Sequence, residues 1–406
     1  MIILNDKKDC CGCHACVQRC PKQCIWMRED EEGFLYPYID ISLCINCGLC
    51  EQVCPVINQS DPRLPLKVYA AKNPNETIRQ ASSSGGLFTM LAEQILKRNG
   101  VVFGARFNEK WEVIHDYTET LEGLAAFRGS KYVQSRIGDN YRYAKTFLEA
   151  GREVLFSGTP CQIAGLNFYL NKKYKNLLTV DLICHGVPSP KIWQIYLNET
   201  IKRTSKKRAF IENISFRDKR LGWKKFCITL SLSTNDANGI KKEFSNSDIF
   251  SKNIFMKGFL SNLYLRPSCH SCPSRSFKSE SDITIGDFWG IESVFEDFDD
   301  DKGVSAIMIN SKKGESVYNI LKCKSLETNL LSVYKGNSPL KHSCPEPLQR
   351  KLFFNRFLKK NFYNITIQLC KPKFKHRIKN IFRDILSKTG LLIILKKIVQ
   401  RQSILS

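Results

Sequence analysis

The sequence predicts two joined folds: a small cysteine-built α+β unit over residues 1–60 and an α/β domain over 66–344, with a basic helical tail over 345–406. Three observations predict this division. One cysteine spacing occurs twice in the first 60 residues, strand-like and helix-like segments alternate from about 66 to 310, and the charge changes sign along the chain. At 406 residues the chain is long for one core, since domains run to roughly 100–200 residues. Pro62 and Pro65 in SDPRLPLK mark the linker between the first two units.

The bulk numbers exclude several classes. An apolar fraction of 43% and a charged fraction of 25% are ordinary for a globular chain and exclude wholesale disorder. Eighteen cysteines in so long a chain do not fit a small secreted disulfide scaffold. The opening MIILNDKKDCCG has no apolar stretch of signal-peptide length. The longest apolar run near the end, residues 391–395, falls far short of the ~20 residues that span a bilayer. A cytoplasmic, reducing location is therefore expected, where cysteines serve as metal ligands or redox groups.

The repeated spacing carries the most information. Cys10-x2-Cys13-x2-Cys16-x3-Cys20-Pro21 is followed by Cys44-x2-Cys47-x2-Cys50-x3-Cys54-Pro55, the run found in bacterial two-cluster ferredoxins. Three thiolates at i, i+3 and i+6 of a tight loop reach three corners of one cubane. The fourth, held extended by the following proline, points away to the other cluster. The expected sets are crossed: Cys10, Cys13, Cys16 and Cys54 on one 4Fe-4S cluster, Cys44, Cys47, Cys50 and Cys20 on the second. Zinc wants paired CxxC knuckles instead of two runs of four closed by Cys-Pro. Gly12, Ala15 and Gly48 are expected to leave room for the clusters, and Cys11 and Cys24, outside the spacing, are read as structural.

In the second unit, SSGGLFTMLAEQILKRNG reads as a Gly-rich turn and a helix stopped at Gly100, and VVFGARF as a buried strand. Helix, strand, turn and helix follow through YRYAKTFLEAGREVLFSGTPCQIAGLNFYL, then a strand and turn in LLTVDLICHGVPSP. Such alternation predicts a substantially parallel sheet. Ligands gather at the carboxyl ends of its strands, where the turns 158–161 and 184–188 fall. Residues 202–262 are more polar and β-like, and DITIGDFW reads as a strand entering a turn. Cys161, Cys184 and Cys269-x2-Cys272 offer four thiolates from three segments. They could hold a third 4Fe-4S cluster or be small buried residues, and the CxxC pair could bind zinc or act as a dithiol. His185 and His270 are read as hydrogen-bonding neighbours. The glycine-rich stretch 82–86 could bind phosphate at a helix start or simply cap the helix.

Taken together, the chain resembles the family of coenzyme F-420 hydrogenase/dehydrogenase beta subunits, in the bacterial form with an N-terminal two-cluster ferredoxin domain. SSGG at 83–86, GSKYVQS at 129–135, GTPCQ at 158–162, CHGVPS at 184–189, Cys269-x2-Cys272 and GDFW at 286–289 carry the resemblance, in the family's order over about residues 1–300. The resemblance implies an FAD-binding α/β domain that exchanges hydride with a deazaflavin or similar acceptor beside an iron–sulfur cluster. It implies a third cluster on Cys161, Cys184, Cys269 and Cys272, and a flavin pocket lined by Ser84, Gly85, Gly86, Lys131, Tyr132, Thr159 and Gln162. Lys131 would stabilise a reduced flavin or a cofactor phosphate. His185, abutting a ligand cysteine at a strand end, is the first candidate for a catalytic acid. Clusters beside a flavin read as a wire from a low-potential donor, such as reduced ferredoxin, to a small-molecule substrate. The alternative is a non-catalytic electron-transfer subunit, and similar bacterial proteins look like partners of surface-polysaccharide assembly.

Charge completes the reading. The net charge is +23; residues 1–64 carry 6 Lys/Arg against 9 Asp/Glu, while 345–406 carry 15 against 2. Basic chains attract nucleic acid, acidic lipid, acidic partners or polyanionic cofactors. No nucleic-acid motif is present and no nucleic acid is expected as a partner. In segment 374–388, Phe374, Ile378, Ile381, Phe382, Ile385 and Leu386 share one helical face. Such a helix could lie peripherally on anionic lipid or dock with its basic face solvated.

Overall fold

Runs of valine, leucine and phenylalanine bounded by glycine and polar turns become strands where the alternation predicts them. The structure is a computed structural model that describes residues 1–205, 207–235, 240–357 and 359–371; the amphipathic segment 374–388 lies outside the described residues. Among the described residues no helix is long and apolar enough to cross a membrane.

The N-terminal unit is a two-stranded hairpin, β1 (Ile25–Glu29) antiparallel to β2 (Leu35–Ile39), with short helices Ala15–Arg19 and Leu49–Gln52 inside the two cysteine runs. The larger unit centres on eight strands: β3 (Lys67–Lys72), β4 (Val101–Phe107), β5 (Val113–Thr118), β6 (Val154–Gly158), β7 (Leu177–Leu182), then β11 (Ile283–Asp287), β12 (Ser305–Ile309) and β13 (Lys324–Thr328). Between β7 and β11 come β8 (Phe210–Asp218), β9 (Cys227–Asn235) and β10 (Lys241–Ile249), an antiparallel sheet of their own.

The large sheet runs β13-β3-β12-β11-β7-β6-β4-β5. Its middle, β11-β7-β6-β4, is parallel, with Ile283 opposite Val180, Val154 opposite Leu177 and Val101 opposite Val154. The flanks are antiparallel, so the expected parallel sheet holds only at the centre. The short link from β4 to β5 permits a hairpin, whereas a parallel neighbour needs a long crossover. Successive residues of the middle strands face opposite layers. Val102 and Leu155 meet the helix Leu87–Leu96, while Phe103 and Phe156 meet the helices Asn140–Glu149 and Pro160–Leu170.

A further core joins β8 and β9 to the helices Pro190–Thr204 and Ile254–Leu260. Phe353, Phe357, Phe362 and Ile365, from the helices Gln349–Arg356 and Phe362–Leu369 and the turn between them, are buried in it beside Trp193, Tyr196 and Tyr264. The described part of the expected tail is therefore core of the large unit. Its basic composition hid an aromatic face.

The N-terminal unit is docked on the large one. Gly165 lacks a Cβ where Cys13 lies; the added atom would stand 2.9 Å from the cysteine Cβ. Arg350 pairs with Glu32 across the seam, both largely buried.

Three cysteine hollows and an adjoining cavity

Cys10, Cys13, Cys16 and Cys54 ring one hollow; Cys20, Cys44, Cys47 and Cys50 ring a second. The fold thus brings together the two crossed sets that the spacing predicts. The residues read as structural are also there: Cys24 lines the second hollow and Cys11 the first. Gly12, expected to make room for a cluster, lines the first hollow and makes room for two side chains as well. Its φ is +70°, and a Cβ would stand 2.8 Å from both the Arg266 Nη1 and the Gln134 Nε2, so only glycine lets those side chains reach the loop.

The third hollow is lined by Cys161, Cys184, Cys269 and Cys272, with Cys11 again on its wall. Cys161 stands in the first turn of the helix that follows β6, and Cys184 two residues past the end of β7. Cys269 lies in the 3-10 turn Pro267–Ser271, and Cys272 directly after it. The parallel pairing of β6 and β7 brings the first two together. An antiparallel bridge between Pro188 and Leu265, with Arg266 N donating to Val187 O at 3.0 Å, carries the third segment to them.

The donor sets suit clusters. Every hollow has a backbone amide aimed at sulfur: Gly12 N donates to Cys10 Sγ at 3.4 Å, Ile2 N to Cys50 Sγ at 3.3 Å, and Val187 N to Cys269 Sγ at 3.4 Å. Such bonds tune iron–sulfur potentials. The thiols ring hollows, and among the described residues no three His, Cys, Asp or Glu converge closely enough to hold a single metal ion. Burial pushes the thiol of Cys269 up to about 12 and that of Cys272 up to about 11. Left alone they stay protonated at neutral pH; a cationic centre is what draws them to thiolate.

Beside the third hollow opens a cavity of about 790 Å³, within the size range of small-molecule sites, ~300–1,000 Å³. Leu182, Cys184, Gly186, Val187 and Pro339 line both spaces, so one wall separates them. Ser84, Gly86, Lys131, Tyr132, Thr159, Gln162 and His185 all face the cavity. Gly85 does not. A Cβ there would stand 2.4 Å from Ala71 O and 2.8 Å from Ser305 N, so its role is to let the loop close on β3 and β12. Gln162 faces the cavity with its polar atoms already used: Oε1 accepts from Thr159 N at 2.9 Å and Nε2 donates to Ser135 Oγ at 2.9 Å.

Four Lys and Arg residues line the cavity: Arg128, Lys131, Arg217 and Lys224. Lys131 donates from Nζ to the carbonyls of Arg128 and Gly129 at 3.2 and 3.1 Å, and burial lowers its ammonium to about 7. Arg217 pairs with Asp287 at 2.6 and 3.0 Å, donates to Tyr132 Oη at 3.0 Å and lies 4.1 Å over Phe226. Trp223 Nε1 donates to Asp287 at 3.0 Å while its ring stacks on Trp289 with centroids 4.7 Å apart. Of this group the sequence signalled Lys131 and Tyr132, through GSKYVQS, and Asp287 and Trp289, through GDFW. Arg217 sits in β8 with no motif around it.

His185 is held by Asn262. Asn262 Nδ2 donates to Pro345 O at 3.1 Å, which turns its Oδ1 toward His185 Nε2 at 2.8 Å. Burial lowers the imidazole below its ordinary value. The neutral ring therefore carries its proton on Nε2 and keeps Nδ1 as an acceptor. His270 bonds Cys344 O at 2.9 Å from Nδ1, the neighbouring role expected for it.

Paired ferredoxin-type hollows docked on a mixed α/β unit with a large open cavity define an iron–sulfur protein of the oxidoreductase and electron-transfer class. The chain belongs to the family of coenzyme F420 hydrogenase/dehydrogenase beta subunits. The family's N-terminal model matches residues 68–139 and its C-terminal model residues 151–332, while a 4Fe-4S dicluster domain matches 9–58. The chain is 25% identical over 333 residues to the coenzyme F420-dependent sulfite reductase of Methanocaldococcus jannaschii, covering 79% of this chain and 47% of that protein. It is 23% identical over 223 residues to a subunit of the F(420)H(2) dehydrogenase of Methanosarcina mazei, covering 50% and 63%. The chain thus spans about half to two thirds of the length of these relatives. A chain of the F420-reducing [NiFe] hydrogenase complex from Methanosarcina barkeri aligns at TM-score 0.44 and 17% identity over 74% of this chain and 92% of that one, a likeness that decides neither fold nor function.

Proposed function

We propose that this chain is an iron–sulfur oxidoreductase in which three cubane sites lead inward to a hydride-exchanging cofactor in the 790 Å³ cavity. The ligands are Cys20, Cys44, Cys47 and Cys50 at the outer site, Cys10, Cys13, Cys16 and Cys54 at the middle site, and Cys161, Cys184, Cys269 and Cys272 at the inner site. The observation that carries the reading is the shared wall: Cys184 borders both the inner hollow and the cavity. When bound, the cubanes would supply one-electron steps, and a flavin, which takes electrons singly and gives them up as hydride, would couple them to a two-electron hydride carrier such as a deazaflavin. The names of the relatives favour a deazaflavin; FAD rests on the family resemblance, and so does a link to surface-polysaccharide assembly.

The chain's own groups then have distinct tasks. Lys131, whose polar contacts are carbonyls, and Arg128, which donates to Thr89 Oγ1, are cations available to a phosphate or an anionic ring. Arg217 is already neutralised by Asp287 and serves as an oriented donor, with Tyr132 fixed against it. Trp289 and Phe226 supply flat apolar walls. His185 takes a proton at Nδ1 instead of giving one, because its Nε2–H is committed to Asn262. This reverses the acid role expected of it.

A second reading, a non-catalytic electron-transfer subunit, is favoured by one relative being one subunit of a dehydrogenase and by the partial coverage of both. Anaerobic purification followed by iron, sulfide and cofactor analysis tests the main reading. About twelve irons and twelve sulfides are expected, three cubanes' worth, with a flavin or deazaflavin retained or bound on addition. Eight irons and no cofactor binding would leave only the ferredoxin part. Turnover of a small molecule with a low-potential donor separates the two readings.

A further inference from the structure

Four arginines of the described chain are almost fully buried: Arg79, Arg217, Arg266 and Arg350. Three have a carboxylate partner, Asp300, Asp287 and Glu32 respectively. Arg266 has none. It is 1% exposed, and its guanidinium meets only neutral or sulfur atoms. Nε donates to Cys10 O at 2.8 Å, Nη1 to Gln134 Oε1 at 3.0 Å, and Nη2 to Leu35 O at 2.9 Å and Cys10 Sγ at 3.5 Å. The rings of Tyr36 and Phe34 lie 4.3 and 5.4 Å away. A buried cation without a counter-charge is costly, so this arrangement calls for an anion.

The position identifies the anion. Arg266 bonds Cys10 of the middle hollow and also lines the inner one, three residues before Cys269. Cys11 lines both hollows at the same junction, its carbonyl accepting from Gln134 Nε2 at 3.1 Å. Gly12 is the residue whose missing Cβ admits both Arg266 and Gln134. A cubane held by four thiolates carries net negative charge that deepens on reduction. We propose that Arg266 is the shared counter-charge of the middle and inner clusters, raising the potential of both and holding electrons on the inner side of the chain. The outer cluster, whose hollow Arg266 does not line, stays outside its influence. The proposal rests on the cluster assignment made above.

The test is a redox titration followed by electron paramagnetic resonance on the anaerobically purified full chain, with iron and sulfide measured on the same samples. Wild type is compared with Arg266→Gln, Arg266→Lys and Gln134→Glu. The last keeps the guanidinium and sets a carboxylate where Gln134 Oε1 stands, 3.0 Å from Nη1. It sets a negative charge against the guanidinium without opening a hole, at the loss of the Nε2 bond to Cys11 O, and tests the charge even if Arg266→Gln fails to fold. With about twelve irons per chain retained, the reduced-to-oxidised ratio of the middle and inner clusters at a fixed potential falls about tenfold in Arg266→Gln and Gln134→Glu, which is about 59 mV for a one-electron couple. Arg266→Lys stays close to wild type, and the outer cluster does not move. Unmoved potentials with clusters intact, or a shift in only one of the two inner clusters, overturn the proposal. About eight irons in the wild-type chain would remove the inner cluster itself. That failure overturns both readings and is told apart by metal content alone.

Discussion

The outer and inner cysteine hollows are built for opposite circumstances. At the outer one Cys47 is exposed, Ile45 lines the space, and Ile41 and Leu43 beside it in the chain stand out in solvent. At the inner one no ring cysteine is exposed. The wall is tied by Arg266 and by Arg275, which donates to the carbonyls of Cys184 and His185 at 3.2 and 3.4 Å. Under the proposed reading the first end meets a protein donor and the second meets the cofactor cavity. An exposed apolar rim suits brief contact with a redox partner, whereas a hydrogen-bonded wall with no exposed cysteine suits a site that holds its cofactor in one place.

Ligand removal gives the largest expected effect. Cys184→Ser takes the iron content from about twelve to about eight and leaves the two ferredoxin-type signals in place. Cys47→Ser removes the outer cluster and leaves the inner one with its cofactor. Metal analysis with electron paramagnetic resonance reads both; loss of every cluster from either variant would show that the hollows are not separable.

Phe353→Ala comes next. The ring is fully buried among Tyr264, Phe357 and Phe362, and its loss costs about 3–5 kcal/mol, measured by urea unfolding. A change under about 1 kcal/mol would mean that this helix is an appendage after all.

Lys131 gives a pH-dependent effect. Its ammonium sits at about 7 when folded against an ordinary 10.5. Between those values the unfolded chain holds the proton that the folded chain has released, so this residue's contribution to stability rises with pH. Lys131→Met therefore exceeds wild type in urea midpoint by most near pH 7, and the margin shrinks toward pH 10. A margin independent of pH would place Lys131 in water.

The smallest effect on the fold comes from the outer rim. Leu43→Ser with Ile45→Ser changes stability by no more than about 0.5 kcal/mol, as exposed positions do, while reduction by a ferredoxin donor slows. Stopped-flow reduction reads the second quantity; an unchanged rate would move the entry point elsewhere.

The sequence by itself determined the two outer cysteine sets. Their ligands lie within the first 54 residues, and covalent spacing plus a proline constrains which thiols can face one another, so Cys20 and Cys54 cross over as the pattern requires. It also determined part of the order of strands and helices, from Leu87 to Gly104 and from Asn140 to Leu182, because buried strands are written as apolar runs and helices as caps and stops. It did not determine the helices Pro190–Thr204 and Ile254–Leu260. The tertiary structure alone decided the rest. Cys161 and Cys184 meet because β6 and β7 are parallel neighbours, and Cys269 joins them through the bridge between Pro188 and Leu265; no local signal encodes such pairings of distant segments. Arg217 has no motif around it, and Arg266, three residues before the CxxC pair, is not part of its spacing. They became functional candidates once burial stripped them of water, since a buried charge must find a partner and only the folded chain shows which one is missing.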